Sequence, residues 1–316
     1  MTASSTDAGG LALGGDLGGT STRILVTDLA GQPLGRGRAG GGNPTAHPAT
    51  ARDALASALA QALRDVDPAR VRAGVLGMAG GGALRDPSVR AAYDEAWRAA
   101  GLPGLPDVRS DVEIAFAAGS DATTGTVLVA GTGAVAGRVE AGRLVATTGG
   151  HGWLLGDEGS GFWLGREAVR AALRWVGSGE EPGPLVRSVL AVLPESDDDP
   201  RTALVQHAYA GPPVALASLA PLVTAANDGG DPLAAEIVAT GLAHLIALLD
   251  RLPAPSPGEP VVLAGALTER GTAIGHGLRR HLGEQGLDVL SAAEPVTGAA
   301  AIARRQAAAD PRDQPG

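Results

Sequence analysis

The stretch Asp16-Leu17-Gly18-Gly19-Thr20-Ser21-Thr22-Arg23 sets an acid at the end of one apolar run, two glycines at a reversal, and hydroxyls where the next run begins. Leu11 to Asp16 reads as a short strand, Gly18-Gly19-Thr20 as a tight turn, and Thr22 to Thr27 as the returning strand. Asp28-Leu29-Ala30-Gly31 turns the chain into a third strand, so the first domain opens on an antiparallel meander. Each part of the turn also has a chemical use. Glycine lets the backbone approach a ligand without a Cβ, so successive N–H groups can reach phosphate oxygens with no basic side chain. Thr20 and Thr22 add hydroxyl donors, and Asp16 can hold a hydrated divalent cation against the phosphates. Taken alone, the same letters also make a plain glycine hairpin.

Reading outward, Asn43-Pro44-Thr45 forms a loop, and Leu55, Leu59, Leu63 and Val66 then recur at helical spacing. A strand over Val71 to Met78, a helix over Ser88 to Ala100, and a strand running into Arg109-Ser110-Asp111 complete a β-β-β-α-β-α-β order. From Thr126 the opening pattern returns: a strand to Ala130, the turn Gly131-Thr132-Gly133, a strand to Val139, a turn at Ala141-Gly142, and a strand from Arg143. The repetition is one of strand order and turn chemistry, not of letters, and no short-period repeat is present. Helices follow at Phe162–Trp175, Thr202–Tyr209, Val214–Ala226 and Pro232–Leu252. A Pro-rich loop over 253–260 leads to the buried-type strand Val261–Ala264, and Thr297–Arg305 reads as a closing helix. Glu180–Pro184 and Glu195–Pro200 read as exposed acidic loops.

The length of 316 residues leads us to expect two domains. All 25 basic residues are Arg, and Cys is absent. No Walker A Lys, kinase-type Lys or Schiff base is therefore available. Disulfides, thiolate nucleophiles, Cys-based zinc sites and iron–sulfur clusters are excluded as well. A net charge of −9 argues against nucleic acid or an anionic membrane surface as main partner. No apolar run reads as long enough for a membrane span, and Met1 to Gly9 lacks the pattern of a signal peptide. The expectation is a cytoplasmic protein acting on small molecules. Aromatics are only 3% while Gly numbers 48, so the core must be built from Ala, Val and Leu.

Asp16 to Arg23 resembles the first phosphate motif of the sugar-kinase, heat-shock chaperone and actin superfamily, and Val129 to Gly133 resembles its second. Leu263-Ala264-Gly265-Ala266 resembles its adenosine motif. Gly149-Gly150-His151-Gly152-Trp153-Leu154-Leu155-Gly156-Asp157-Glu158-Gly159-Ser160 is similar to the signature of N-acetylglucosamine kinases in the BadF/BadG-type ATPase family. The matched stretches run from about Leu13 to Arg305. Residues 178–252 carry no motif.

The resemblance implies an α/β fold of two ribonuclease-H-like, actin-like ATPase domains with a nucleotide cleft between them. Tails at 1–9 and 310–316 would flank a first domain of 10–117 plus 298–309 and a second of 118–297. It implies an ATP-dependent kinase acting, with Mg²⁺, on the 6-hydroxyl of an amino sugar, N-acetylglucosamine first, with glucosamine or another hexosamine as the alternative. Gly18, Gly19, Thr20, Thr22, Arg23, Gly131, Thr132, Gly133, Gly265 and Ala266 would hold the nucleotide and Asp16 the metal. Asp111 would be the general base, and Asn43, Asp111, Gly150, His151, Asp157 and Glu158 would hold the sugar.

Each assignment has a plainer competitor. Asp111 could be a helix N-cap ahead of Ile114, Asn43-Pro44 a turn starter, and Asp157-Glu158 a solvated acidic turn. The sequence departs from the family pattern in two places: Ala134 stands where Ser is common, and His151 where the animal enzymes carry Trp. His47, His207, His244, His276 and His281 read as structural or surface residues, and no pair has metal-ligand spacing. Related dehydratase activators need Cys-ligated clusters, and related repressors need an N-terminal helix-turn-helix, for which the strand at Leu11 leaves no room. Relatives often dimerise, so a homodimer is also an expectation.

Overall fold

The computed structural model describes residues 9–79, 84–194 and 199–309. The chain forms two compact units, residues up to 121 together with those from 292 onward, and residues 122–291. Apart from Gly9, the expected tails lie outside the described residues, as do residues 195–198 of one acidic loop.

The first unit opens on β1 (Leu11–Leu17), β2 (Thr22–Asp28) and β3 (Pro33–Ala39), followed by α1 (Ala51–Ala62), β4 (Val71–Met78), α2 (Pro87–Ala99), β5 (Asp107–Ser110) and α3 (Asp111–Gly119). Its sheet has the order β3-β2-β1-β4-β5, with β1 antiparallel to β2 and parallel to β4. The second unit repeats this plan with β6 (Gly125–Ala130), β7 (Ala134–Glu140) and β8 (Arg143–Gly149). Its helices are α4 (Gly152–Leu155), α5 (Gly161–Trp175), α6 (Pro184–Leu190), α7 (Pro200–Tyr209), α8 (Ala220–Asp228) and α9 (Pro232–Asp250). They precede β9 (Pro260–Ala264), α10 (Ala273–Glu284) and β10 (Asp288–Ser291). The order β10-β9-β6-β7-β8 matches the first sheet strand for strand. The last helix, α11 (Pro295–Ala308), returns to the first unit.

Small residues let these layers approach closely, which answers the shortage of aromatics. Ala299, Ala300 and Ala303 are buried, and a Cβ at Gly14 of β1 would collide with the Ala300 backbone. A Cβ at Gly298 would likewise collide with the Ile114 carbonyl of α3. α11 therefore lies directly on β1 and α3, and side-chain bulk is excluded at both crossings.

Four readings of the sequence are corrected. The stripe expected to reach Val66 ends at Ala62, because Leu63 and Val66 fold into a turn ahead of Pro68. The helix expected over Val214–Ala226 is a 3₁₀ segment, Pro213–Leu219, followed by α8. The elements α4, α6, α10 and β10 were not anticipated. One helix, α9, is 19 residues long with mean hydropathy 1.8, long and apolar enough to cross a membrane. Its Ala234, Ile237, Val238, Leu245 and Leu248 pack into the core of the second unit.

Candidate active site

Strand register assembles the first unit's candidate residues. Leu17 pairs with Met78, and Met78 with Ser110, so the C-terminal ends of β1, β4 and β5 form one row. Asp16 and Asp111 flank that row, two strands or about 10 Å apart along the sheet. Asp111 occupies the first turn of α3 but is not its cap. Ser110 caps it: its hydroxyl accepts from Glu113 N at 3.1 Å, and Glu113 Oε2 accepts from Ser110 N at 2.7 Å. This reciprocal capping box leaves the Asp111 carboxylate free of the role that competed for it. Arg109, itself buried, donates to Glu113 Oε1 at 3.3 Å and anchors the box from the β5 side.

Burial pushes the Asp111 carboxyl above the ordinary aspartate value, partly opposed by hydrogen bonds from the amides of Val112 and Asp111. Asp16 is also raised. Burial dominates, the Arg23 guanidinium at 3.2 Å opposes it, and the negative charge of Asp111 adds to it. Asp16 and Asp111 thus feel each other electrostatically, and a cation near them would be favoured.

The first glycine turn is held from behind. Gly42 N donates to Gly18 O at 3.1 Å, and His47 Nε2 donates to Gly19 O at 2.5 Å. The amides of Gly19 and Thr20 have no partner among the described residues. Thr22 is placed otherwise than expected: its side chain is fully buried and its hydroxyl donates to Gly40 O at 2.9 Å. It is a strut between β2 and the loop after β3. Asn43 is buried as well, with Nδ2 donating to Ala79 O at 3.0 Å and Oδ1 accepting from Thr45 N at 2.8 Å. The turn-starter reading describes those contacts, and one Nδ2 hydrogen remains for a ligand.

In the second unit, Val129 pairs with Ala264, so the ends of β6 and β9 lie side by side. Gly265, at φ +94°, packs so closely on the Ala130 carbonyl that no Cβ fits. The Gly131-Thr132-Gly133 turn is held from behind as the first one is. Gly161 N donates to Gly131 O at 2.8 Å and Phe162 N to Thr132 O at 3.1 Å, while the amides of Thr132 and Gly133 have no partner among the described residues.

Asp157 and Glu158, read together in the sequence, separate in the structure. Asp157 is buried at φ +63°, and its Oδ1 accepts from Ala134 N at 3.0 Å beside Gly133. Burial raises its pKa, the Ala134 amide and nearby His151 oppose that, and Glu158 adds to it. Glu158, His151 and Gly150 are exposed. Among the described residues no group of three metal-ligating side chains exists. Sequence reading took His47, which carries no local signal, as a structural or surface residue, and passed over the capping box, which was legible as Ser-x-x-Glu.

Residues 13–303 match the family model of the BadF/BadG/BcrA/BcrD ATPases. Over 100 residues the chain is 38% identical to an N-acetylmuramic acid/N-acetylglucosamine kinase of Clostridium acetobutylicum, a match spanning 31% of each protein. A solved structure from Chromobacterium violaceum, described as a candidate N-acetylglucosamine kinase, aligns over 94% of this chain and 100% of its own, with a TM-score of 0.73 at 24% identity. A ROK family glucokinase from Streptomyces griseus, solved with glucose and AMPPNP, aligns over 94% and 100%, with a TM-score of 0.59 at 21% identity. At these identities the likeness is one of fold. With the family model covering nearly its whole length, the chain belongs to the BadF/BadG/BcrA/BcrD ATPase family.

Proposed function

We propose that the protein is an ATP-dependent kinase that phosphorylates the 6-hydroxyl of an amino sugar, N-acetylglucosamine first, with Asp111 as general base. The observation that carries this reading is the placement of Asp111: in the first turn of a capped helix, relieved of capping, its carboxyl raised by burial, beside Asp16 and the glycine turn. The kinases matched in sequence and fold support it. In the reaction the Asp111 carboxylate takes the proton from the sugar hydroxyl as its oxygen attacks the γ-phosphorus in line, and the bond to the ADP oxygen breaks. Without Lys, phosphate binding falls to backbone amides such as those of Gly19 and Thr20 in the first unit's turn; in the second unit's turn the amides of Thr132 and Gly133 are likewise without partners among the described residues.

The residues present fit Mg²⁺, which takes one or two carboxylates and fills its shell with water and phosphate oxygens. Asp16 would hold it, with Arg23 sharing that carboxylate. Bound there, the cation would neutralise phosphate charge. Asn43 through its remaining Nδ2 hydrogen, and Gly150, His151, Asp157 and Glu158 around the signature loop, are the sugar-binding candidates.

The test is a panel of N-acetylglucosamine, glucosamine, N-acetylmuramic acid, N-acetylmannosamine and glucose with Mg-ATP, the product examined by ³¹P and ¹H NMR. The expected product is a 6-phosphomonoester, formed most efficiently from N-acetylglucosamine. Preference for the free amine would move the reading to a glucosamine kinase, and no sugar phosphate from any of the five would overturn it.

A further inference from the structure

We propose that His47 is a positioning residue for the nucleotide: by holding the Gly19 carbonyl from behind, it aims the Thr20 amide at a phosphate oxygen. A trans peptide fixes its C=O and N–H in opposite directions, and no cis bond is present among the described residues. Whatever grips the carbonyl of one residue therefore orients the amide of the next. His47 Nε2 grips Gly19 O, which turns out Thr20 N–H, and Gly42 N grips Gly18 O, which turns out Gly19 N–H. Two successive free amides on the same side make the concavity that backbone uses to bind anions.

The contact is built into the loop. His47 N donates to Asn43 O at 2.9 Å, while His47 O accepts from Thr50 and Ala51 at the start of α1. The imidazole is thus carried between an Asn-initiated turn and a helix whose Ala51, Leu55 and Leu59 are buried. Gly41 leaves space for it, since a Cβ there would collide with both the His47 ring and the Gly19 carbonyl. In the second unit the same device is made without a side chain: the α5 amides of Gly161 and Phe162 grip Gly131 O and Thr132 O, turning out Thr132 N–H and Gly133 N–H. Among the described residues no helix N-terminus donates to the carbonyls of the first turn, and His47 supplies that donor.

This inference rests on the kinase reading above, and the experiment separates the two. Mg-ADP binding is measured by calorimetry for wild type and for His47→Ala, His47→Gln and Gly41→Ala, with melting curves for each. Loss of the His47 hydrogen bond should weaken Mg-ADP roughly tenfold and raise the KM for ATP in parallel, with the KM for sugar unchanged. His47→Gln, whose amide can still donate to Gly19 O, should recover most of that loss, and Gly41→Ala should reproduce it. A His47→Ala protein that is folded and binds Mg-ADP as tightly as wild type overturns the positioning role and leaves the kinase reading intact. Wild type that binds no Mg-ADP overturns both. Should His47→Ala not fold, the wild-type ¹⁵N spectrum decides: Thr20 and Gly19 amide signals that move on adding Mg-ADP support the role, and unmoved signals overturn it.

Discussion

Asp111, the proposed general base, is also a burden on the fold. Its folded pKa is raised above the unfolded value by burial, so its protonated form favours the native state. The sign follows from linkage: the stability tied to this group is fully present below the unfolded pKa and is lost as pH rises through the raised folded value. Asp111→Asn removes the charge with little change of shape. The variant should therefore melt higher than wild type at about pH 7, the gap closing as the pH falls toward about 4. Equal melting temperatures at both pH values would contradict the burial argument. The acid limb of kcat/KM should likewise lie above the ordinary aspartate value, because only the ionised carboxylate accepts a proton. The strand-end places of Asp16 and Asp111 were legible in the sequence because strand ends and glycine turns announce themselves locally. The places of Thr22 and Asn43 were not, since both are set by partners far along the chain, Gly40 and Ala79.

Among the elements, α3 and α11 hold the first unit's site in place. The Ser110 cap and its reciprocal Glu113 bond set where the helix begins, and therefore where the Asp111 carboxylate sits. Ser110→Ala should cost about 1 kcal/mol, read by urea unfolding, and should lower kcat while leaving Mg-ADP binding unchanged; a kcat equal to wild type would detach the cap from catalysis. At the α11 crossing, Gly298→Val would drive a side chain into the Ile114 carbonyl and should destabilise by about 2–3 kcal/mol. A loss below about 0.5 kcal/mol would show that the crossing relaxes. The amphipathic helices α1, α2 and α5 were legible from periodicity. The pattern failed at α10, where Gly275, Gly277 and Gly283 dilute the apolar stripe, and at α6, which has only seven residues beginning at Pro184.

At the scale of the molecule, one plan of five strands occurs twice, β3-β2-β1-β4-β5 and β8-β7-β6-β9-β10, each with its glycine turn following the central strand. The repetition was legible only because both meanders place a Gly/Thr turn at the same point. Its completion by α11 depends on contacts between residues nearly three hundred positions apart. That helix covers β1, where Gly14 meets Ala300, so removal of residues 292–309 should unfold the first unit. In a ¹⁵N spectrum, dispersed signals from β1 to β5 should collapse; their survival would show that α11 is dispensable. The account as a whole stands on phosphoryl transfer through Asp111. Its most direct test is the rate of N-acetylglucosamine phosphorylation by wild type and by Asp111→Asn, with Mg-ADP affinity measured on both. The account predicts sugar 6-phosphate from wild type, a kcat lower by about 10²–10⁴ in the variant, and equal nucleotide affinity; a variant that phosphorylates the sugar at the wild-type rate would contradict it.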